Sequence, residues 1–278
     1  MTTAQAATVP SNVSSGQPGF GSTLLSEWTK VRSVRSTYIM LGLAVVLSIG
    51  MTALISLIIA GTWEEWPPQE QAAFEPTVFS FFGSLFGAIL ISVWGVTLIT
   101  NEYSSGMIRV TLTATPKRGR VLLAKVLVIT GVTLVVGTIS TFGMFLAGQA
   151  VFGASGMASA SLSEADALRA VALVSLISPA YPIVGAALAV FMRSTAGAIT
   201  SILALIFAPS IFGGLLPPWW QENVLAFVLG PVTDSITIQH LGPPSLMYLD
   251  TWVAVGALAA WLIVFVGGAY YVLERRDA

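Results

Sequence analysis

Six runs of mainly apolar residues, at about 38–60, 78–100, 121–147, 168–192, 196–216 and 252–273, occupy most of this 278-residue chain. At about 1.5 Å rise per residue, each run is long enough as a helix to cross a hydrocarbon core of about 30 Å. Lipid offers no partner to backbone N–H and C=O groups, so such runs satisfy them internally as helices. The composition agrees: 55% of residues are hydrophobic and 9% charged, and the mean hydropathy is +0.84, values at odds with a water-soluble domain. The expected class is an all-α integral membrane protein with six transmembrane helices. Cysteine is absent, which removes disulfide and thiolate chemistry.

Residues 1–21 are small and polar without a charged side chain, and are expected to form a disordered tail ahead of a single membrane domain, residues 22–278. The first apolar run is too long and too late for a cleaved signal peptide and reads as a retained signal-anchor span. Just before it, Leu24, Leu25, Trp28, Val31 and Val34 recur every three or four residues, with Glu27, Lys30, Arg32 and Arg35 between them. This periodicity predicts an amphipathic helix lying in the headgroup plane on the cytoplasmic side.

Orientation follows from the cations. With a cytoplasmic N-terminus, Lys30, Arg32, Arg35, Arg109, Lys117, Arg118, Arg120, Lys125, Arg193, Arg275 and Arg276 lie inside, and Arg169 alone outside. That asymmetry places both termini in the cytoplasm. Asp234 falls among the outer carboxylates, and Ser163 is the expected cap of the fourth span. Residues 217–251, which contain Trp219 and Trp220, are too apolar for a free loop and too rich in Pro and Gly for a span. They predict short broken helices at the outer interface.

Pro179, Pro182 and Pro209 fall within apolar runs and predict kinks. Gly83 and Gly87, and Gly131 and Gly137, predict close helix approaches. Thr97, Thr130, Thr133, Ser140, Ser175 and Thr200 read first as contacts between helices. The sequence contains no G-x-x-x-x-G-K-[ST] phosphate loop, H-E-x-x-H or G-x-S-x-G motif, and its one histidine is His240. Within this chain the sequence therefore supplies neither ATP hydrolysis nor a histidine metal site. Ionisable groups in the spans stand only near the ends, as at Glu102, Lys125, Arg169 and Arg193, which disfavours a proton relay and points to an energy source outside the chain.

Residues 101–120, NEYSSGMIRVTLTATPKRGR, interrupt the second and third runs with a polar, basic island. Glu102 to Thr113 predicts a short surface helix with Glu102 at its N-terminal end. Met107, Ile108, Val110 and Leu112 would offer apolar contacts, and Thr115 with Pro116 would start the third span. A loop serving only topology and lipid headgroups is the plainer reading of the same residues.

SEWTKVRSVRSTY before the first span and NEYSSGMIRVTLTATPKRGRVLLAKVL between the second and third resemble the membrane subunits of type 2 ABC exporters, the ABC-2 permease class. The resemblance implies that Leu24, Trp28, Lys30, Val31, Arg32 and Arg35 belong to a connecting helix. It implies likewise that Glu102, Tyr103, Gly106, Met107, Ile108, Arg109 and Leu112 belong to a coupling helix that docks on an ATPase. It further implies an exporter subunit of the bacterial cytoplasmic membrane that forms a translocation path with a second, identical or different, permease chain. A separate ABC ATPase, in two copies, would supply the ATP and Mg sites, with no cofactor in this chain; lipids are the other expected partners, and nucleic acid is not. The rival reading is a channel or scaffold that does not depend on ATP.

Overall fold

The computed structural model describes residues 19–114, 117–238 and 245–275, and the regular elements among them are all helical. In chain order these are α1 (Phe20–Ser33), α2 (Arg35–Thr62), α3 (Pro68–Ala72), α4 (Pro76–Phe79), α5 (Ser84–Ser104), α6 (Met107–Ala114) and α7 (Arg118–Ala154), followed by α8 (Ala165–Ile177), α9 (Ala180–Met192), α10 (Thr195–Phe212), α11 (Pro218–Asn223), α12 (Leu229–Thr237) and α13 (Thr251–Arg275). Six segments are long and apolar enough to span a membrane: α2, α5, α7, the α8–α9 pair, α10 and α13. Of the tail expected over residues 1–21, residues 1–18 lie outside the described residues, as do His240 and the Thr115–Pro116 helix start, whereas Phe20 and Gly21 already belong to the first turn of α1.

The spans differ from their apolar runs where backbone chemistry intervenes. The second run begins in α4, breaks over residues 80–83 and resumes as α5, which continues to Ser104. The freed groups at that break are met from α2: the Thr52 hydroxyl donates to Ser80 O at 3.3 Å and accepts from Gly83 N at 3.1 Å. This is the compensation that non-helical backbone at membrane depth requires. The third span reaches Ala154, seven residues past its expected end. The fourth is two helices rather than one kinked one. Pro179 lacks the N–H that would reach Ser175 O, and the Ser178 hydroxyl donates there instead at 2.8 Å, and to Thr133 O at 3.0 Å.

The α8–α9 span lies at the centre of the bundle, with 67% of its most apolar window buried, whereas the corresponding window of α13 is 11% buried. α9 packs against α5, α10 and α13, while α2 packs against α5 and α7. Small residues make these approaches possible. Gly95 faces the Pro182 backbone so closely that an added Cβ would overlap its carbonyl oxygen, and Gly83 and Gly87 lie against Ser48. Gly137 fits against Ser178, but Gly131 faces open space and serves no close approach.

Several predicted polar contacts are intrahelical. Thr130, Thr133 and Ser175 each donate to the carbonyl four residues earlier, and Thr97 to that three residues earlier. Their hydroxyls are satisfied within their own helices rather than by bonds between helices. Ser163 does not cap the fourth span: the N-cap is Glu164, whose carboxylate turns back to accept from Ser161 N at 2.8 Å. α11 carries exposed Trp219 and Trp220, whereas α12 is buried on most faces and packs into the bundle against α8, α10 and α13.

Candidate functional site: a buried ion cluster and a surface helix at one end of the bundle

α1 turns both apolar and charged residues toward the bundle. Its bundle-facing residues are Thr23, Glu27 and Val31, with Leu24 and Lys30 half-buried, while Leu25, Trp28 and Arg32 are exposed, as are Val34 just after it and Arg35 at the start of α2. The apolar stripe is thus divided: Val31 and Leu24 face the bundle beside a carboxylate, while Leu25 and Trp28 point away from the protein. A buried carboxylate is costly unless it is paired, and Glu27 is paired twice. Its two oxygens take Lys30 Nζ and Lys125 Nζ, each at 2.6 Å.

The second carboxylate is Glu102, in the last turn of α5. Glu102 Oε1 accepts from Lys125 Nζ at 2.6 Å and from Lys30 Nζ at 2.9 Å. Two cations and two anions therefore form a closed, neutral quartet joining α1, α5 and α7. Lys30 Nζ also donates to Thr111 Oγ1 at 3.2 Å, which adds α6 to the same knot. Burial opposes the charge of Lys30, but the hydrogen bonds and charges of Glu27 and Glu102 outweigh it and raise its pKa above the usual lysine value.

The polar island folds differently from the single helix expected over Glu102–Thr113. Glu102 and Tyr103 still belong to α5, and a turn through Ser105 and Gly106 separates them from α6. Gly106 holds φ at 69°, a left-handed conformation that glycine adopts without a Cβ clash. Ile108 is buried beside Tyr103, Val121, Leu122 and Leu273, while Met107 is 45% exposed. α6 is thus anchored through Ile108 and presents Met107 outward. Arg109 and Leu112 lie within α6, but their side chains are outside the described ones.

Two further contacts brace this end. Arg118 Nη1 donates to Leu273 O at 2.5 Å, tying the start of α7 to the end of α13, and the Arg193 guanidinium sits 5.5 Å from the centre of the Tyr103 ring. The cations at Lys30, Arg118, Lys125, Arg193 and Arg275 all belong to helix ends gathered here, and Arg169 lies at the start of α8, at the other end.

Among the described residues no cluster of His, Cys, Asp and Glu can hold a metal ion. Ordinary sequence signals do reach part of this site: Glu27 interrupts an apolar-and-basic helix, and Lys125 interrupts an apolar run. Their pairing across 98 residues leaves no local trace.

These features define a six-span helical membrane protein with a surface helix pinned to the ends of its spans. Comparison with known families is specific: residues 23–210 match the ABC-2 family transporter protein. The match covers more than half of the chain, which therefore belongs to the ABC-2 transporter family and is a helical membrane permease. A search of curated proteins finds no match.

Proposed function

We propose that the chain is the permease subunit of an ATP-driven exporter, energised by a separate ATPase chain that docks on α6 and the turn before it. A second permease chain would complete the translocation path, and the α1–α6 end of the bundle would face the cytoplasm, where the positive-inside rule puts its cations. The observation that carries this reading is the ion quartet. It fixes α6 and α1 to the ends of α5 and α7, so a displacement of α6 passes to two spans rather than being absorbed by a loose loop. α1, with Leu25, Trp28 and Arg32 directed outward and exposed Arg35 following at the start of α2, suits the headgroup layer.

Docking is assigned to the exposed residues, Gly106 and Met107 together with Asn101, Ser104 and Ser105 on the adjoining turn. Glu102 and Ile108 act from inside, as the anchors of that surface. The test is co-purification of the ATPase encoded with this chain. Met107→Asp is expected to reduce its recovery at least about tenfold while membrane insertion is unchanged. Recovery at the wild-type level would refute the docking role and favour a channel or scaffold independent of ATP.

A further inference from the structure

The half of the bundle remote from the ion quartet holds a partly open cavity of about 440 Å³ lined by one chain, between α2, α5, α7, the α8–α9 break, α10 and α12. That volume lies in the range of pockets that hold drug-sized molecules. Most of the wall is apolar, with Phe81, Phe82, Met144 and Ile177 among its residues. Set into it on α12 is Asp234, whose side chain is exposed to the open space of the cavity while its neighbours on α12 are buried. Among the described residues the wall carries no Lys, Arg or His, and the Asp234 carboxylate has no hydrogen bond or ion pair. In a membrane protein an ionisable group that faces a cavity marks a functional site for which a partner is to be sought.

The polar groups around Asp234 have a common sense. The Thr233 hydroxyl donates to Gly230 O at 2.7 Å, so its 2.8 Å contact with the Tyr181 hydroxyl is one in which Tyr181 donates. The protons of both hydroxyls are thereby committed, and their oxygens remain as acceptors. The Thr237 hydroxyl is likewise committed, to Thr233 O at 2.9 Å. This part of the wall presents a carboxylate and acceptor oxygens, next to aromatic faces that also attract positive charge. The surrounding protein, which withholds solvation from the charge, pushes the Asp234 carboxyl up to about 6.

We propose that this cavity is a binding site for a lipophilic organic cation, a protonated amine with an aromatic or aliphatic body, with Asp234 as its counter-ion. An anion or a phosphate headgroup would meet acceptor oxygens and a like charge, and an uncharged apolar molecule would leave the carboxylate unpaired. The site lies inside one chain and needs neither the ATPase nor a second permease chain, so it stands apart from the docking reading above.

The test uses the full chain in nanodiscs of zwitterionic lipid without any ATPase, with tritiated propranolol as the amine probe and its uncharged N-acetyl derivative as competitor. The wild type is expected to bind the probe saturably, and the amide is expected to compete at least about tenfold more weakly than unlabelled amine. Asp234→Asn should weaken binding at least about tenfold and Asp234→Glu should retain it. Ala88→Phe, which fills the cavity without touching the charge, should abolish it. The proposal is overturned by absent saturable binding in the wild type, by equal competition from the amide, or by wild-type affinity in Asp234→Asn. Should Asp234→Asn fail to fold, the amide competition and the Ala88→Phe variant decide the matter. Loss of binding here leaves ATPase recovery untouched, so failure of either reading is separately visible.

Discussion

Replacing Lys125 with methionine removes the group that bonds Glu27 and Glu102 at 2.6 Å each and keeps most of the volume of its 4% exposed side chain. The quartet then holds two carboxylates and Lys30 alone. Breaking a buried pair by deleting one partner typically costs about 3–5 kcal/mol. The variant has one escape, proton uptake by one of the carboxylates. At pH 7, roughly 2.7 units above the ordinary glutamate value, that costs about 3.7 kcal/mol. A destabilisation of about 3–4 kcal/mol is therefore expected at pH 7. At pH 5 the same proton uptake costs only about 1 kcal/mol. The sign is that of a carboxyl whose proton affinity rises on folding: the penalty grows as pH climbs above the unfolded-state value and fades as pH falls toward it. Reversible unfolding in mixed detergent, followed by tryptophan fluorescence between pH 5 and 8, measures it. Adding Glu27→Gln to Lys125→Met restores neutrality and should recover most of the loss at pH 7. A penalty that does not change with pH, or one below about 1 kcal/mol at pH 7, would refute the claim that the quartet is a closed, desolvated charge balance.

The raised pKa of Lys30 gives the opposite limb. Its contribution is fully present below the model-compound value of 10.5 and is lost as pH rises through the still higher folded value. Wild-type stability should therefore fall above about pH 10.5, and Lys30→Met should flatten that fall in the same unfolding assay. Gly95→Ala places a methyl against the Pro182 carbonyl and should destabilise the α5–α9 contact by about 1–3 kcal/mol, read as a lowered melting temperature. Gly131→Ala, which meets nothing within 4 Å, is the matched control and should be neutral or slightly stabilising because alanine favours helix.

The spans were legible because lipid imposes a length and a composition on them, and both survive in a one-dimensional reading. Their ends were less so. The second span's break over residues 80–83 rests on Thr52 of another helix, and the extension of α5 to Ser104 rests on Glu102 finding Lys125. Each depends on a partner distant in sequence. The helix before the first span was legible from its period, but the sense of its burial was not. Apolar periodicity marks Leu25 and Trp28 as a face, and in a soluble protein that face would be the core; here the protein takes Glu27 and gives Leu25 and Trp28 to its surroundings. Asp234 reads as one outer carboxylate among several, because nothing near it in sequence records that α12 turns into the bundle.

The quartet also sets an order on assembly. Glu27 and Lys30 emerge before the first span, Glu102 closes the second and Lys125 opens the third, so α1 cannot reach its final seat until the chain has been made 98 residues beyond Glu27. Membrane domains built in chain order normally let early segments settle early. Because Lys125 stands near the start of α7, the quartet can close only after α2 and α5 have been made and the third span begun. A chain with one span inverted would carry Glu102 or Lys125 to the opposite face and leave Glu27 with Lys30 alone, so full seating of α1 reports correct topology.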